Sequence, residues 1–177
     1  MYRSDAKTAK EIVTSYEGPL TEAVKLSSDK DTDYAPSGST PLYNSVGTII
    51  KSVRERVAAT KDKVNVIVSI FTDGENNSRN GYTPEDVAQM VEECEGEGWT
   101  FTYFGANQDA WEVGATFGIK AGNSMSYSTD NMNATMATAS MARSYHKTQA
   151  KAAHAAGATY SSTTFFADAG QTEDDYQ

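Results

Sequence analysis

The sequence predicts an α/β fold in which a mostly parallel central sheet lies between helices, in three layers. Its clearest element is the apolar run of residues 64–71, which is too short for a helix and is followed at once by Thr72, Asp73 and Gly74. Such a run is typical of a strand buried on both faces of a parallel sheet. Helical and strand patterns then alternate along the chain, and this order indicates helices that cover the sheet.

The first forty residues carry weaker patterns. Residues 1–10 are polar and charged, and two interpretations stay open for them, a frayed end or a helix remnant. Residues 11–16 contain β-branched and aromatic side chains and stop before Gly18 and Pro19, so they are predicted to form a strand. Residues 20–26 fit a short helical face, and residues 27–39 are interpreted as a solvated loop.

From residue 40 onward the predicted elements are clearer. Pro41 suits the first turn of a helix, and Thr40 just before it is expected to cap that helix. Thr83 and Asp86 have the spacing of a capping box at the start of a second helix. The predicted elements are a helix at 41–59, a strand at 64–71, a helix from 84, a strand at 99–104, a short helix at 108–117, a weak strand at 124–128, and a long helix capped by Asp130 that ends near residue 156.

Length and composition limit the class of protein. A chain of 177 residues can form one domain with a sizeable core, predicted at residues 1–157 and followed by a polar, acidic tail at 158–177. The net charge of −9 argues against nucleic-acid binding, because such binding relies on clustered cations. With no apolar N-terminal segment and no run of 18 apolar residues, the sequence predicts a cytoplasmic protein without membrane contact. Cys94 is expected to be a buried free thiol.

The long last helix and the tail contain histidine, methionine and phenylalanine side chains whose roles can be predicted. His146 and His154 have no third His or Cys nearby, so zinc binding is not expected and both are interpreted as solvated residues. The methionines of the same helix, Met132 and Met136, are expected to fill the core. The adjacent Phe165 and Phe166 are expected to dock on the domain.

The first candidate site residue is Asp73, at the end of the apolar strand. In open α/β sheets, ligands bind outside the carboxyl ends of the strands, and this end carries a carboxylate, a glycine and two amides. The alternative is that Asp73 and Gly74 form only a turn, because both residue types are favoured in turns for backbone reasons. A second stretch upstream favours the functional interpretation.

That second stretch, Gly38-Ser39-Thr40-Pro41-Leu42-Tyr43, is followed by the strand that ends Phe71-Thr72-Asp73-Gly74-Glu75-Asn76. Together the two motifs resemble the von Willebrand factor A domain, and the likeness covers residues 12–127. In that family these segments supply the second and third loops of the metal-ion-dependent adhesion site. The resemblance implies a Rossmann-like sheet and a Mg²⁺ or Mn²⁺ site.

The resemblance also implies roles for individual residues. Thr40 and Asp73 match the metal-coordinating threonine and the second aspartate of the family, and a hydroxyl and a carboxylate suit a hard cation. Ser37, Ser39, Glu75 and Asn76 are the expected ligand-binding residues around them. The sequence of residues 98–109 is similar to that of cytoplasmic family members from bacteria and tailed phages. This resemblance implies a protein of the bacterial cytoplasm, with a phage-encoded origin as one option.

One motif of the family is missing. No Asp-x-Ser-x-Ser loop occurs in this chain, and the two motifs that are present begin only about forty residues from Met1. The resemblance therefore implies a domain that is incomplete at its N-terminus, with one side of the strand at 64–71 unpaired. Three ways of filling the gap stay open: a second polypeptide, a second copy, or residues 160–167 of this chain. Residues 3–10 are too polar for this role. Cation binding is accordingly expected to be weak or dependent on a partner chain.

The function predicted first is a non-enzymatic protein-binding module with a partial metal site, which binds a protein partner or a second copy of itself. One alternative is a degenerate member of the family, kept as a structural subunit of a bacterial or phage assembly. The other is a metal-dependent hydrolase of phosphates or nucleotides that uses Asp73 and Glu75. This enzyme is disfavoured because the chain has no glycine-rich phosphate loop with lysine and no histidine at a strand end, and Asp109 is its only other acidic strand end.

Overall fold

The computed structural model describes residues 2–5, 11–14, 40–74, 76–78, 81–106 and 109–167. The predicted helical face at 20–26 and the predicted loop at 27–39, which contains Ser37 and Ser39, lie outside the described residues. Glu75 also lies outside them, as does the last part of the predicted tail, after Ala167.

The N-terminal strands form a small sheet of their own. Strand β1, Tyr2–Asp5, pairs antiparallel with strand β2, Glu11–Thr14, and Tyr2 lies opposite Thr14. The strand predicted at 11–16 is therefore confirmed over its first four residues. The interpretation of residues 1–10 as a frayed end or helix remnant is wrong for 2–5, because pairing with β2 satisfies the backbone of a segment whose side chains give little strand signal.

In the part of the chain that the structure describes, the main sheet has three parallel strands in the order β3-β4-β5. They are β3 (Ile67–Thr72), β4 (Thr100–Ala106) and β5 (Ser124–Tyr127). Thr72 lies opposite Gly105, and Ala106 lies opposite Tyr127, so the carboxyl ends of all three strands meet at one edge. The described helices that flank the sheet are α1 (Leu42–Ala59), α2 (Pro84–Gly96), α3 (Ala110–Thr116) and α4 (Met132–Ala155). The predicted three-layer α/β fold with a parallel sheet is confirmed.

Each face of the sheet has its own core. On one face the helices α1, α2 and α3 bury a cluster that includes Ile50, Val91, Phe101 and Phe117. Helix α2 begins with the predicted capping box, in which the Thr83 and Asp86 side chains bond each other's backbone N–H groups. Cys94 of α2 is a buried free thiol, as expected, and burial raises its pKa to about 11.

The opposite face is covered by α4 and by the segment that follows it. The buried cluster here consists of Phe104, Ala106, Met125, Tyr127, Ala139, Ala142, Phe165 and Phe166. Because α4 packs mainly over β4 and β5, the side chain of Phe71 on β3 stays 42% exposed, although its ring stacks on Phe104 at a centroid distance of 4.1 Å. The prediction that this strand is buried on both faces is therefore wrong. Among the described residues, β3 pairs with β4 on one side only.

Helix α4 turns a different face inward from the one predicted. Its buried residues are Thr135, Ala139, Ala142, His146 and Ala150, a row of mostly small side chains that lets the helix lie close to the sheet. Met136 is exposed, so its expected core position is wrong, whereas Met132 is partly buried and packs against the cluster under α4. The N-cap is Asn131, preceded by a 3-10 turn at Thr129–Asn131, and Asp130 does not cap the helix.

His146 is buried, contrary to the prediction that it is solvated. Its Nε2 lies 2.8 Å from Oγ1 of Thr100, at the start of β4, and its ring contacts Tyr160 and Phe165. The helical pattern could not reveal this, because the partners of His146 come from a strand and from a segment after the helix.

The segment after α4 belongs to the packed structure. The fully buried Asn123 binds this segment through its side chain. Nδ2 of Asn123 donates to Ser162 O at 2.6 Å and to Phe101 O at 3.0 Å. Oδ1 of Asn123 accepts from Phe165 N at 2.8 Å. Phe165 and Phe166 are buried, so their expected docking is confirmed. Packed structure thus continues past the predicted domain boundary, through residues 158–167.

This placement bears on the predicted gap beside β3. Residues 160–167 were the internal candidate to fill it, yet they form no strand with β3. Ser162 N donates to Oγ1 of Thr100, and Phe166 N donates to Gly122 O, so the segment lies near the starts of β4 and β5. That candidate is therefore wrong.

Candidate functional site

The loop after β3 is joined to the start of α1. The first N–H groups of a helix have no partner within the helix, so another group must satisfy them. Oδ1 of Asn76 accepts from Leu42 N at 2.8 Å and from Tyr43 N at 3.4 Å. Asn77 adds two bonds, because its N–H donates to Thr40 O at 3.2 Å and its Oδ1 accepts from Thr40 N. The two motifs found in the sequence are therefore adjacent in space.

These bonds change the roles expected for Thr40 and Asn76. The N-cap of α1 is Pro41, and no side chain of the α1 segment caps the helix, so the expectation that Thr40 caps it is wrong. Asn76 takes that role from the neighbouring loop, and its Nδ2 donates to Ser78 O at 2.8 Å. Both ends of the Asn76 carboxamide are occupied in positioning the loop, whereas among the described residues nothing hydrogen-bonds the Thr40 hydroxyl.

Gly74 brings the two loops into close contact. A Cβ atom placed on Gly74 would lie 3.6 Å from Oγ1 of Thr40, so the Thr40 hydroxyl faces the residue that directly follows Asp73. Thr72 shapes the turn between them, because its Oγ1 donates to Gly74 O at 2.7 Å and accepts from Gly74 N at 3.2 Å. The turn interpretation is thus correct for the backbone, and it leaves the Asp73 carboxylate outside the turn bonds.

Asp73 is exposed and forms no ion pair or hydrogen bond with the described residues. Among the described residues, the charge of Asp73 acts on Tyr127, at the end of β5. Burial first, and the negative charge of Asp73 second, raise the pKa of the Tyr127 phenol. Asp73 directly follows β3 and Tyr127 ends β5, so both lie at the carboxyl edge of the sheet.

The groups gathered here suit a hard cation in kind. A carboxylate and a hydroxyl that have no hydrogen-bond partner among the described residues lie on adjacent loops. Mg²⁺ and Mn²⁺ take oxygen ligands while keeping several waters. In the part of the chain that the structure describes, no three His, Cys, Asp or Glu side chains converge. Ser37, Ser39 and Glu75, the other expected site residues, lie outside the described residues.

Asp109 and His146, the other polar residues considered for a hydrolase, make structural contacts elsewhere. Oδ1 of Asp109 caps α3 by accepting from Trp111 N at 3.0 Å and Glu112 N at 3.1 Å. His146 contacts the first residue of β4, so it lies toward the opposite end of the sheet from Asp73. A hydrolase that used Asp109 or His146 beside Asp73 would need a different arrangement.

Sequence reasoning assigned Tyr127 only to a weak strand. Its ring is 8% exposed and packs in the cluster under α4. The sequence does place Tyr127 at the end of a predicted strand, as it does Asp73. The order of the strands in the sheet depends on long-range pairing, which the sequence pattern does not indicate.

The fold and the site together define a three-layer α/β protein with a threonine and an aspartate on adjoining loops at the carboxyl edge of its sheet. The sequence matches no protein-family model, and no curated protein matches it. None of the described helices is both long and apolar enough to cross a membrane.

Proposed function

We propose that this chain is a non-enzymatic protein-binding module of the von Willebrand factor A type, with a partial metal-ion-dependent adhesion site. Thr40 and Asp73 are the protein ligands of Mg²⁺ or Mn²⁺. The observation that carries the proposal is the junction between the two loops, in which Asn76 and Asn77 bond the backbone around Thr40 and leave the Thr40 hydroxyl beside the Asp73 turn.

The site is completed by a partner chain. Two protein ligands leave most positions of an octahedral cation to water or to a partner. None of the described strands pairs with the other side of β3, which leads directly to Asp73, so a strand added there would end beside the site. The partner is a second copy or another polypeptide, and the resemblance to bacterial and phage members favours a cytoplasmic, bacterial or phage-encoded setting.

A structural subunit without a working metal site is the second candidate. The small number of ligands among the described residues favours it, because the loops could be joined for packing alone. The two candidates differ in one measurable property, the binding of a cation through Asp73.

Cation binding by the isolated chain is expected to be weak and dependent on Asp73. With so few protein ligands, the dissociation constant for Mg²⁺ or Mn²⁺ is expected to be about millimolar or weaker. Asp73→Ala should abolish this binding, because it removes the charged ligand that the described part of the site supplies. Isothermal titration with MnCl₂ measures both proteins directly.

Asp62→Ala is the matched control, since Asp62 is also exposed but precedes β3 and so lies at the opposite end of that strand. It should bind Mn²⁺ as the parent does. Equal binding by Asp73→Ala and Asp62→Ala, or no binding by the parent, would favour the structural subunit. Micromolar binding abolished by Asp73→Ala would instead reveal further ligands in this chain.

A further inference from the structure

His146 lies where helix α4, strand β4 and the segment after α4 meet. The residue is buried, and its Nε2 lies 2.8 Å from Oγ1 of Thr100, the first residue of β4. The same Oγ1 accepts from Ser162 N at 3.1 Å. The ring of His146 also contacts the rings of Tyr160 and Phe165, at centroid distances of 4.8 and 5.4 Å. One histidine side chain therefore joins the helix to the strand and to the segment.

The described elements that pack around His146 carry no carboxylate. Helix α4 contains no aspartate or glutamate, and the charged residues nearest to His146 along it, Arg143 and Lys147, are exposed cations. Neither β4 nor residues 158–167 contain a charged side chain, and the titratable group that they bring to the ring is the phenol of Tyr160. Burial disfavours the charged form of a side chain, and these elements supply no negative charge to offset a protonated ring.

The hydrogen bonds at Thr100 also depend on the charge of the ring. A neutral imidazole can accept the hydroxyl proton of Thr100 at Nε2, whereas an imidazolium is a donor at both ring nitrogens. After protonation, Oγ1 of Thr100 would meet two N–H donors, from His146 and from Ser162, and its own proton would need a new acceptor. Protonation therefore opposes the bond between the segment and β4.

We propose that His146 makes the packing of the segment after α4 dependent on pH, and that protonation of its ring releases residues 158–167 from β4 and α4. A solvated histidine gains a proton below about pH 6.5. A packed form that excludes this proton is disfavoured by up to about tenfold for each pH unit below that value. Release exposes the rings of Phe165 and Phe166, which are buried in the packed form.

Hydrogen exchange measured by mass spectrometry tests the proposal on the unaltered protein. The N–H groups of Ser162, Phe165 and Phe166 are hydrogen-bonded in the packed form, so their exchange reports release. After correction for the intrinsic exchange rate, the opening constant of residues 158–167 should rise about ten- to thirtyfold from about pH 6.5 to about pH 5. The peptide that covers α2, on the other face of the sheet, should not show this rise, because the release is local.

Two variants assign the effect to one histidine. His146→Gln removes the ionisable ring and keeps a polar side chain that can bond Thr100, so its opening constant should not depend on pH in this range. His154→Gln is the matched control, because His154 is the other histidine of the chain and lies on the same helix. It should retain the rise of the parent.

Three results would refute the proposal: an opening constant of the parent that does not change over this pH range, a rise in His146→Gln as large as in the parent, or an equal rise in the α2 peptide. The last result would mean that acid acts on the whole fold. If His146→Gln does not fold, His154→Gln decides, since His146 is then the histidine that remains. Loss of the rise in His154→Gln would assign the effect to His154 and refute the role of His146.

Discussion

Phe166→Ala is expected to lose about 3–5 kcal/mol of its free energy of unfolding, the range for truncating a fully buried phenylalanine. The Phe166 ring is fully buried, with its edge against Phe104 at a centroid distance of 5.4 Å and against Phe165 at 5.3 Å. The loss follows because the cavity would open between α4 and the sheet, where close-packed neighbours cannot fill it. Urea unfolding followed by circular dichroism measures the change.

Phe71→Ala is the matched control for this prediction. It removes the same atoms from a ring that is 42% exposed, so less apolar surface returns to water and no closed cavity forms. Its loss should be less than half of that of Phe166→Ala. Equal losses would mean that the segment after α4 contributes nothing to the core, contrary to the packing described above.

Asn123→Ala is expected to cost about 3 kcal/mol or more. One carboxamide serves three buried backbone groups, Phe101 O, Ser162 O and Phe165 N, and each is left without this bond when the side chain is removed. An unsatisfied buried polar group typically costs about 1–3 kcal/mol. Two of the three groups belong to the segment after α4, so limited proteolysis should also cleave the variant between residues 158 and 167 faster than the parent.

Asn65→Ala is the control, because Asn65 makes a single bond to the same segment, from Nδ2 to Tyr160 O at 3.0 Å. It should cost about 1 kcal/mol. If Asn123→Ala costs no more than Asn65→Ala, the bonds of Asn123 are not what holds the segment in place.

Local chemistry explains which elements the sequence could predict. The capping box of Thr83 and Asp86 acts within one helical turn, and the alternation of apolar strands with amphipathic helices follows from burial against one sheet. The pairing of Thr40 with Asp73 was predicted from the resemblance of two motifs. Their adjacency was observed through Asn76 and Asn77, while their role as cation ligands stays a prediction.

The features that the sequence did not predict depend on contacts between distant segments. Residues 2–5 become a strand only through pairing with β2, and His146 turns inward because Thr100 and the segment after α4 meet it there. Helix α4 packs on the sheet with its row of small residues, because these allow the helix to approach the sheet closely. Tyr127 and Asp73 lie at the same edge of the sheet because β3 and β5 both pair with β4. No local sequence pattern indicates this strand order.

The proposed partner chain pairs with β3 on the side where none of the described strands lies, next to the Asp73 site. Edge strands are natural templates for pairing with another chain, and lysine on an edge strand opposes such pairing. Phe71→Lys places a charge on the exposed end of β3, and Met141→Lys places the same charge on α4, where Met141 is 54% exposed.

Sedimentation velocity of the parent, Phe71→Lys and Met141→Lys over a range of concentrations measures this pairing. The parent is expected to associate as concentration rises, Phe71→Lys to shift toward the monomer, and Met141→Lys to behave like the parent. A parent chain that stays a well-folded monomer at every concentration would refute this pairing, because the sheet would then be stable without a second chain beside β3.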